Sequence, residues 1–236
     1  ILHMKVLVIV PARCGSKGFT NKNIAKVGGK TLLELAINVG LDCPLTDDIY
    51  ISTDCKKYEK LGIKAGAKSL GLRPEKFATD KAKSVDGVID LINKLDVQYD
   101  YLVLLQPTSP IREPLDIEKM MKLILDNNAD ASVSTFHLEE PHPYKLKSIS
   151  NDGYIRSFIK ETSSEISRQL LPKVYALNGS IYIVKISTLL QEKTFFPIKT
   201  IPYIMSTNIN IDSEDDFDYL KYLNDNNSID IYGVKK

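Results

Sequence analysis

The chain is expected to fold as an α/β protein, a mostly parallel sheet with helices on both faces. Apolar, β-branched-rich runs at Val6–Val10, Asp48–Thr53 and Tyr101–Leu105 have the near-continuous hydrophobicity of strands buried on both sides. Between them lie segments with apolar residues at helical spacing: Leu32, Leu35, Ala36 and Val39, then Val85, Val88, Ile89 and Ile92. Strand–helix alternation of this kind implies parallel strands joined by crossover helices. Ligands of such sheets sit outside the carboxyl ends of the strands. Loops 11–23, 73–84 and 106–112 are therefore expected to share one edge.

At 236 residues the chain fits one large domain, or a domain carrying an insertion. A net charge of +1 gives no sign of nucleic acid or a membrane surface as partner, so any basic site must be local. The cysteines are Cys14, Cys43 and Cys55, without CxxC or Cys/His ligand spacing. That argues against a disulfide framework or a structural zinc, and fits a reducing cytoplasm. No apolar run approaches the ~20 residues that span a bilayer. No secretory signal is read, and Ile1–His3 are taken as residues ahead of the natural start, Met4.

In order, the first strand is stopped by Pro11 and opens into a loop with small residues at Gly15, Ser16 and Gly18 and cations at Arg13, Lys17 and Lys22. Glycine lets backbone N–H groups approach a ligand, and the cations add positive charge there, which suits phosphates. The competing reading is a basic, solvated loop. Cys14 lies among cations that could lower its pKa, yet a neutral small residue is preferred to a nucleophile. Gly29-Lys30-Thr31 imitates the end of a P-loop, but the required first glycine is Ile24, so that motif is rejected. Gly28-Gly29 reads as a turn and Thr31 as the N-cap of a helix through Val39.

Strand Asp48–Thr53 is followed by a short helix after Asp54, a weak strand over Ala65–Leu70, and a polar stretch after Leu72-Arg73-Pro74. A helix over Ser84–Leu95 comes next, then strand Tyr101–Leu105, stopped by Pro107 and Pro110. Helix Leu115–Leu125 and strand Ala131–Phe136 complete the alternation. From His137 the pattern changes to short strand-like pieces, Tyr144–Ile149 and Tyr154–Ile159, read as an excursion over 137–177. Strand Asn178–Val184, a short helix over Ile186–Leu190 and strand Ile201–Met205 follow. The last helix, Ser213–Leu223, is capped by Ser213, with Glu214, Asp215 and Asp216 in the first turn as the helix dipole favours. The Asn-rich tail 224–227 reads as frayed.

These motifs together resemble the sialic-acid cytidylyltransferases (CMP-N-acylneuraminate synthetases). The resemblance begins with Ala12-Arg13-Cys14-Gly15-Ser16-Lys17-Gly18 and Asn21-Lys22-Asn23. It continues through Leu72-Arg73-Pro74, Leu105-Gln106-Pro107-Thr108-Ser109-Pro110-Ile111-Arg112, His142-Pro143-Tyr144-Lys145, Arg168-Gln169-Leu170-Leu171-Pro172 and Asn178-Gly179-Ser180-Ile181-Tyr182-Ile183. It ends near Ile209-Asn210-Ile211-Asp212. An ordered set is a far more specific signal than any one motif. It implies a three-layer, Rossmann-like nucleotide-diphospho-sugar transferase fold, one domain over 4–227, with 137–177 inserted as a dimerisation segment. The implied reaction joins CTP and a nine-carbon 2-keto sugar acid (sialic, legionaminic or similar) into a CMP-sugar and pyrophosphate. Such a transfer needs charge neutralisation and alignment more than a covalent intermediate.

The resemblance also implies roles. Arg13, Ser16, Lys17, Lys22 and Asn23 would hold the triphosphate, with Arg13, Lys22 and Asp212 closest to the chemistry. Arg73, Ala82 and Ser84 would frame the cytosine, though Ser84 also reads as a helix cap and Arg73 as a structural loop arginine. Gln106, Lys145, Arg168, Asn178, Tyr182, Phe195 and Phe196 would form the sugar side, with core packing as the alternative for the Phe pair. His137 and His142 are read as structural. Mg²⁺ (or Mn²⁺) is the implied metal and a homodimer with partly shared sites the implied assembly.

Two departures stand out. The family commonly has Ile-Asp-Ile-Asp where this chain has Ile209-Asn210-Ile211-Asp212. Alternation places residues 210 and 212 on one face, and an amide oxygen ligates Mg²⁺ without the charge of a carboxylate, so weaker metal binding is expected. Ala176 stands where many relatives carry Arg, which leaves Arg168 and Lys145 as the sugar-side cations. The alternatives are another sugar nucleotidyltransferase (a CMP-Kdo synthetase or a guanylyltransferase) or a non-catalytic nucleotide-binding module. A dehydrogenase is disfavoured, because no GxGxxG follows the first strand.

Overall fold

The computed structural model describes residues 4–15, 18–79, 81–160 and 162–234. In chain order, β1 (Val6–Pro11) leads through its loop into a small ribbon of β2 (Lys26–Val27) and β3 (Lys30–Thr31). Next come α1 (Leu32–Asp42), β4 (Asp48–Ser52), α2 (Lys56–Lys64), α3 (Ser84–Ile92), β5 (Tyr101–Leu105), α4 (Pro114–Asp126) and β6 (Ala131–Leu138). An arm of β7 (Lys147–Ile149) and β8 (Ile155–Ser157) follows, then β9 (Val174–Lys185), α5 (Ile186–Glu192), β10 (Thr200–Met205) and α6 (Glu214–Asp225).

The central sheet has the order β10-β6-β9-β5-β1-β4. β1 runs parallel to β4 and β5, and β10 parallel to β6, while β9 is antiparallel to both of its neighbours. Successive side chains of a strand point to opposite faces, and β1 shows the result. Val6, Val8 and Val10 pack with α1 and α4, whereas Leu7 and Ile9 pack with α3 and α5. Two cores on one sheet make the three layers expected from the sequence. A third cluster joins Val27, Leu32, Leu35, Ile211, Leu220 and Ile231.

Local signals explain the element starts. Thr31 caps α1 in a capping box with Glu34, and Ser213 caps α6 in a capping box with Asp216. Gly28 and Gly29, at φ +55° and +81°, make the turn of the small ribbon.

Four readings are corrected. Residues 65–70 form no strand. Lys68 alone bridges to β4, through Lys68 N–H to Ile49 O and Ile51 N–H to Lys68 O, because Gly66 and Gly71 at positive φ turn the chain away on either side. The excursion is shorter than 137–177. β6 runs to Leu138 and β9 starts at Val174, with His137 paired to Tyr175. The half-exposed Tyr175 and Leu177 hid this strand extension, because no buried alternation marks it. The tail is not frayed: α6 continues to Asp225, and Ile231 beyond it is buried. Tyr144 lies in a 3-10 turn, Pro143–Lys145, rather than a strand. Among the described residues no helix is long and apolar enough to cross a membrane.

Candidate active site

The carboxyl ends of β1 and β5 open into a cleft of about 430 Å³. The first loop brings Arg13, Gly18, Lys22 and Asn23 to it; Arg73 and Ser84 come from the chain around the start of α3; Gln106, Pro107 and Thr108 follow β5; Asn210 and Asp212 precede α6. Arg13 and Lys22 of the first loop thus converge with Arg73, opposed in the lining by the carboxylate of Asp212, with Asp54 close enough to act on Arg73. That balance suits a multiply charged anion. A larger cavity, about 680 Å³, lies between the start of α4, the end of β10 and the tail. Its charged lining is Arg112 with Glu113, Asp116 and Asp230, the wrong sign for phosphates.

Each cleft residue is fixed by its surroundings. Asn23 is buried and donates its amide to Arg13 O at 3.0 Å, while Cys14 N–H donates to Asp54 Oδ1 at 2.8 Å. Both bonds pin the loop backbone. A Cβ at Gly18 would lie 2.8 Å from Asp212 O, so only glycine lets the loop pass that close. Arg73 donates from Nε to Ser52 Oγ at 3.1 Å and from Nη2 to Ser52 O at 2.5 Å. Its pKa is lowered, by burial first. Ser84 is the first residue of α3, with Lys83 in the cap position, so its hydroxyl is not the cap. Cys14 is pushed up to about 11 by burial and by its contact with Cys55, and it stays a neutral thiol.

Asp212 is the centre of a hydrogen-bond chain. Lys22 Nζ donates to its Oδ1 at 2.8 Å and to Ile211 O at 3.1 Å. Asn210 Nδ2 donates to Asp212 Oδ2 at 2.6 Å, and Ser109 Oγ donates to Asn210 Oδ1 at 3.0 Å. The amide orientation is dictated by the carboxylate, since an amide oxygen so close to Asp212 would be repelled. Ser213 and Asp216 perform the helix capping, leaving the Asp212 carboxylate, 69% exposed, to face the cleft. No group of three or more His, Cys, Asp or Glu side chains among the described residues makes a metal cage. The Asp212 carboxylate fits a hard cation such as Mg²⁺, which keeps waters and takes further ligands from substrate phosphates; Asn210, whose Oδ1 is engaged by Ser109 and whose Nδ2 faces Asp212, would add an oxygen only by turning its amide over.

The family model described as Cytidylyltransferase matches residues 7–233, nearly the whole chain, with every cleft residue inside the match. The chain belongs to the cytidylyltransferase family. It is 33% identical over 218 residues to an N-acylneuraminate cytidylyltransferase of Streptococcus agalactiae serotype V, covering 91% of this chain and 52% of that protein. It is 34% identical over 221 residues to the CMP-N,N'-diacetyllegionaminic acid synthase of Legionella pneumophila, covering 91% of this chain and 94% of that one. The chain thus spans about half the length of its streptococcal relatives. In fold it resembles a CMP:2-keto-3-deoxy-manno-octonic acid synthetase solved with CTP, at TM-score 0.72 and 16% identity, over 94% of this chain and 99% of that one.

The remaining residues singled out from sequence lie in different places. Ser16 and Lys17 fall outside the described residues. Ala82 sits in a turn, its N–H donating to Thr79 O, and does not line the cleft. Tyr182 pairs in register with Leu104, so it stands on the same sheet face, beside the cleft. Phe195 and Phe196 lie against it, with ring centroids 5.8 and 5.9 Å away. Phe195 is buried with the core and Phe196 is half exposed, so the two differ in their freedom to meet a ligand. Asn178 is buried, accepting from Ser134 Oγ at 2.6 Å and Ser180 N at 3.1 Å, and it shapes β9 rather than lining the cleft. Lys145 and Arg168 lie on the excursion, where Arg168 pairs with Glu139 at 2.8 Å and Lys145 approaches Glu140 at 3.9 Å; neither lines the cleft. His142 is buried, its Nδ1 accepting from Tyr144 N and its Nε2 meeting Pro172 O at 3.0 Å, which is a structural arrangement. His137 stacks on Tyr175.

Sequence reasoning missed Ser109 and Arg112 as contributors. Both lie inside a motif already singled out, but a serine and an arginine near prolines carry no local pattern that tells a loop-fixing side chain from a solvated one.

Proposed function

We propose that this chain transfers the cytidylyl group of CTP to the anomeric hydroxyl of a nine-carbon 2-keto sugar acid, releasing pyrophosphate. The observation that carries the reading is the convergence of Arg13, Lys22 and Arg73 on one cleft at the carboxyl end of the sheet, with Gln106 in the same lining. The streptococcal and Legionella relatives, named for sialic and legionaminic acid chemistry, support the choice of sugar.

Arg13 and Lys22 would hold the leaving phosphates and offset the charge that grows on them, while Arg73 and Ser84 would frame the pyrimidine. Gln106 would bond sugar hydroxyls. Asp212, with Asn210, would hold Mg²⁺, which supplies further charge neutralisation on the triphosphate. Lys22 sits on Asp212 in the free chain and is placed to move to the phosphates when the nucleotide enters. Arg168 and Lys145, away from the cleft of their own chain, suit a homodimer in which a partner's excursion closes the sugar side. The free thiols of Cys14, Cys43 and Cys55 suit a reducing compartment such as the cytoplasm.

The test is a panel of four nucleoside triphosphates against sialic, legionaminic, pseudaminic and eight-carbon (Kdo) acids with Mg²⁺, read as pyrophosphate release. Release is expected with CTP and a nine-carbon acid. Release only with the eight-carbon acid would reassign the sugar. CTP binding without release from any pair would make the chain a non-catalytic nucleotide-binding module.

A further inference from the structure

Arg112 is 4% exposed, yet no contact ion pair neutralises it among the described residues. Asp116, the carboxylate on the next helix turn, is instead engaged by Tyr203 OH at 2.8 Å and by Glu113 N–H at 2.9 Å. The guanidinium spends itself on backbone. Nη1 donates to Gln106 O at 2.8 Å, Ser109 O at 2.9 Å and Ser180 O at 2.6 Å, while Nε and Nη2 have no hydrogen-bond partner among the described residues. A buried cation so arranged costs desolvation, and burial pushes its pKa down to about 9, still above neutral pH, so it stays charged.

The three carbonyls belong to two segments far apart in sequence, the loop after β5 and the middle of β9. Those segments meet at Gly179, which has φ +72° and lies so close to the loop that a Cβ there would be 2.9 Å from Ser109 Oγ and 3.3 Å from Gln106 Oε1. The spacing between the Gln106 side chain and β9 is therefore set at the place Arg112 ties together. Among the described residues, Lys22, Arg73 and Ser84, on the nucleotide side, receive no bond from it.

We infer that Arg112 is a positioning residue for the second substrate: by clamping the carbonyls of Gln106, Ser109 and Ser180 it sets Gln106 for the sugar acid, without contributing to the binding of CTP. This rests on the function proposed above. A cation serves here because the planar guanidinium holds its N–H donors in a fixed fork and its charge strengthens each bond to the three carbonyl oxygens that share Nη1. Lysine, one atom shorter in reach, keeps the charge and loses the geometry.

The experiment uses the full chain and the variants Arg112→Met and Arg112→Lys. KM for the sugar acid is measured at saturating CTP, and the CTP dissociation constant is measured separately by calorimetry. The expected result is a rise in sugar-acid KM of at least tenfold for Arg112→Met and a smaller rise, at least threefold, for Arg112→Lys, with CTP binding within twofold of wild type in both. A wild-type sugar-acid KM overturns the clamp, as does CTP binding that weakens in step with the KM. If Arg112→Met does not fold, the same criteria apply to Arg112→Lys alone. If the wild-type chain uses no sugar acid at all, the proposed function fails and amide exchange decides the clamp. Exchange at Ser109 and Ser180 that is at least tenfold faster in Arg112→Lys, with Asn23 and Ile24 unchanged, supports it, and unchanged exchange at Ser109 and Ser180 overturns it.

Discussion

At the residue scale, the pair Lys22–Asp212 has two duties that compete. The ammonium neutralises the carboxylate at 2.8 Å; on the function proposed above, a bound triphosphate would draw the same ammonium to its phosphates. Lys22→Met keeps the stem and removes the charge, so turnover is expected to fall by about two to three orders of magnitude, the scale of losing one preorganised transition-state donor. Pyrophosphate release measures it, and a loss below about threefold would remove Lys22 from the chemistry. Asn210 offers a second test. Its amide now donates to Asp212, and Asn210→Asp places two carboxylates side by side, where a divalent cation relieves their repulsion. Mn²⁺ binding followed by electron paramagnetic resonance without nucleotide is expected to be at least tenfold tighter in that variant. Equal Mn²⁺ binding in the two proteins would show that position 210 does not face the metal.

At the element scale, α6 shows how a local signal carries through to the site. Ser213 and Asp216 close a capping box, and Asp212 N–H also donates to Asp216 at 3.0 Å. The helix start therefore fixes the backbone beside Asp212. The Asp216 carboxyl is held below its ordinary range, first by the Ser213 hydroxyl and then, against a burial effect that raises it, by the backbone N–H groups of Ser213 and Asp212. A carboxyl depressed in the folded state contributes stability that is present above its unfolded pKa, about 4, and is lost as pH falls through the lower folded value. Asp216→Ala is expected to cost about 1 kcal/mol at pH 7, the scale of a lost cap, and the difference from wild type should shrink below pH 4. Chemical denaturation at pH 7 and pH 3 measures both, and an equal difference at the two would sink the account.

Caps of this kind are why α1 and α6 were legible in the sequence, and the buried apolar runs are why β1, β4 and β5 were. The cleft was legible for a different reason: in a parallel sheet the loop after each strand must reach one edge, so Arg13 after β1 and Gln106 after β5 had to meet, whereas Arg73, which follows no strand, is held there by its bonds to Ser52 and Thr53 at the end of β4. What was not legible depended on partners distant in sequence. Arg112 is defined by the Ser180 carbonyl and Ser109 by the Asn210 amide, contacts that no local pattern announces. The start of β9 was hidden because Tyr175 and Leu177 remain half exposed in the single chain, so no buried face marked them as strand.

At the scale of the whole molecule, that exposure has a direction. The arm carries Ile149 at 80% exposed, Phe158 at 67% and Leu170 at 77%, on short elements with no apolar cluster of their own. Large apolar side chains gathered on one exposed segment mark an interaction surface rather than a folded end state. Arg168 and Lys145, proposed above for the sugar side, lie on the same segment, exposed and paired with Glu139 and Glu140. One association would cover the apolar surface and carry those cations to another chain's cleft. Phe158→Glu combined with Leu170→Glu places charges in such an interface without touching the triphosphate cleft. Sedimentation equilibrium is expected to show a wild-type dimer and a mutant whose dissociation constant is raised at least 100-fold. The mutant should keep CTP binding, because Arg13, Lys22 and Arg73 come from one chain, and should lose affinity for the sugar acid by tenfold or more at concentrations where it is monomeric. A wild-type chain that is monomeric at assay concentration with full activity would overturn the shared site, and a monomeric mutant with unchanged sugar-acid KM would confine the arm to assembly alone.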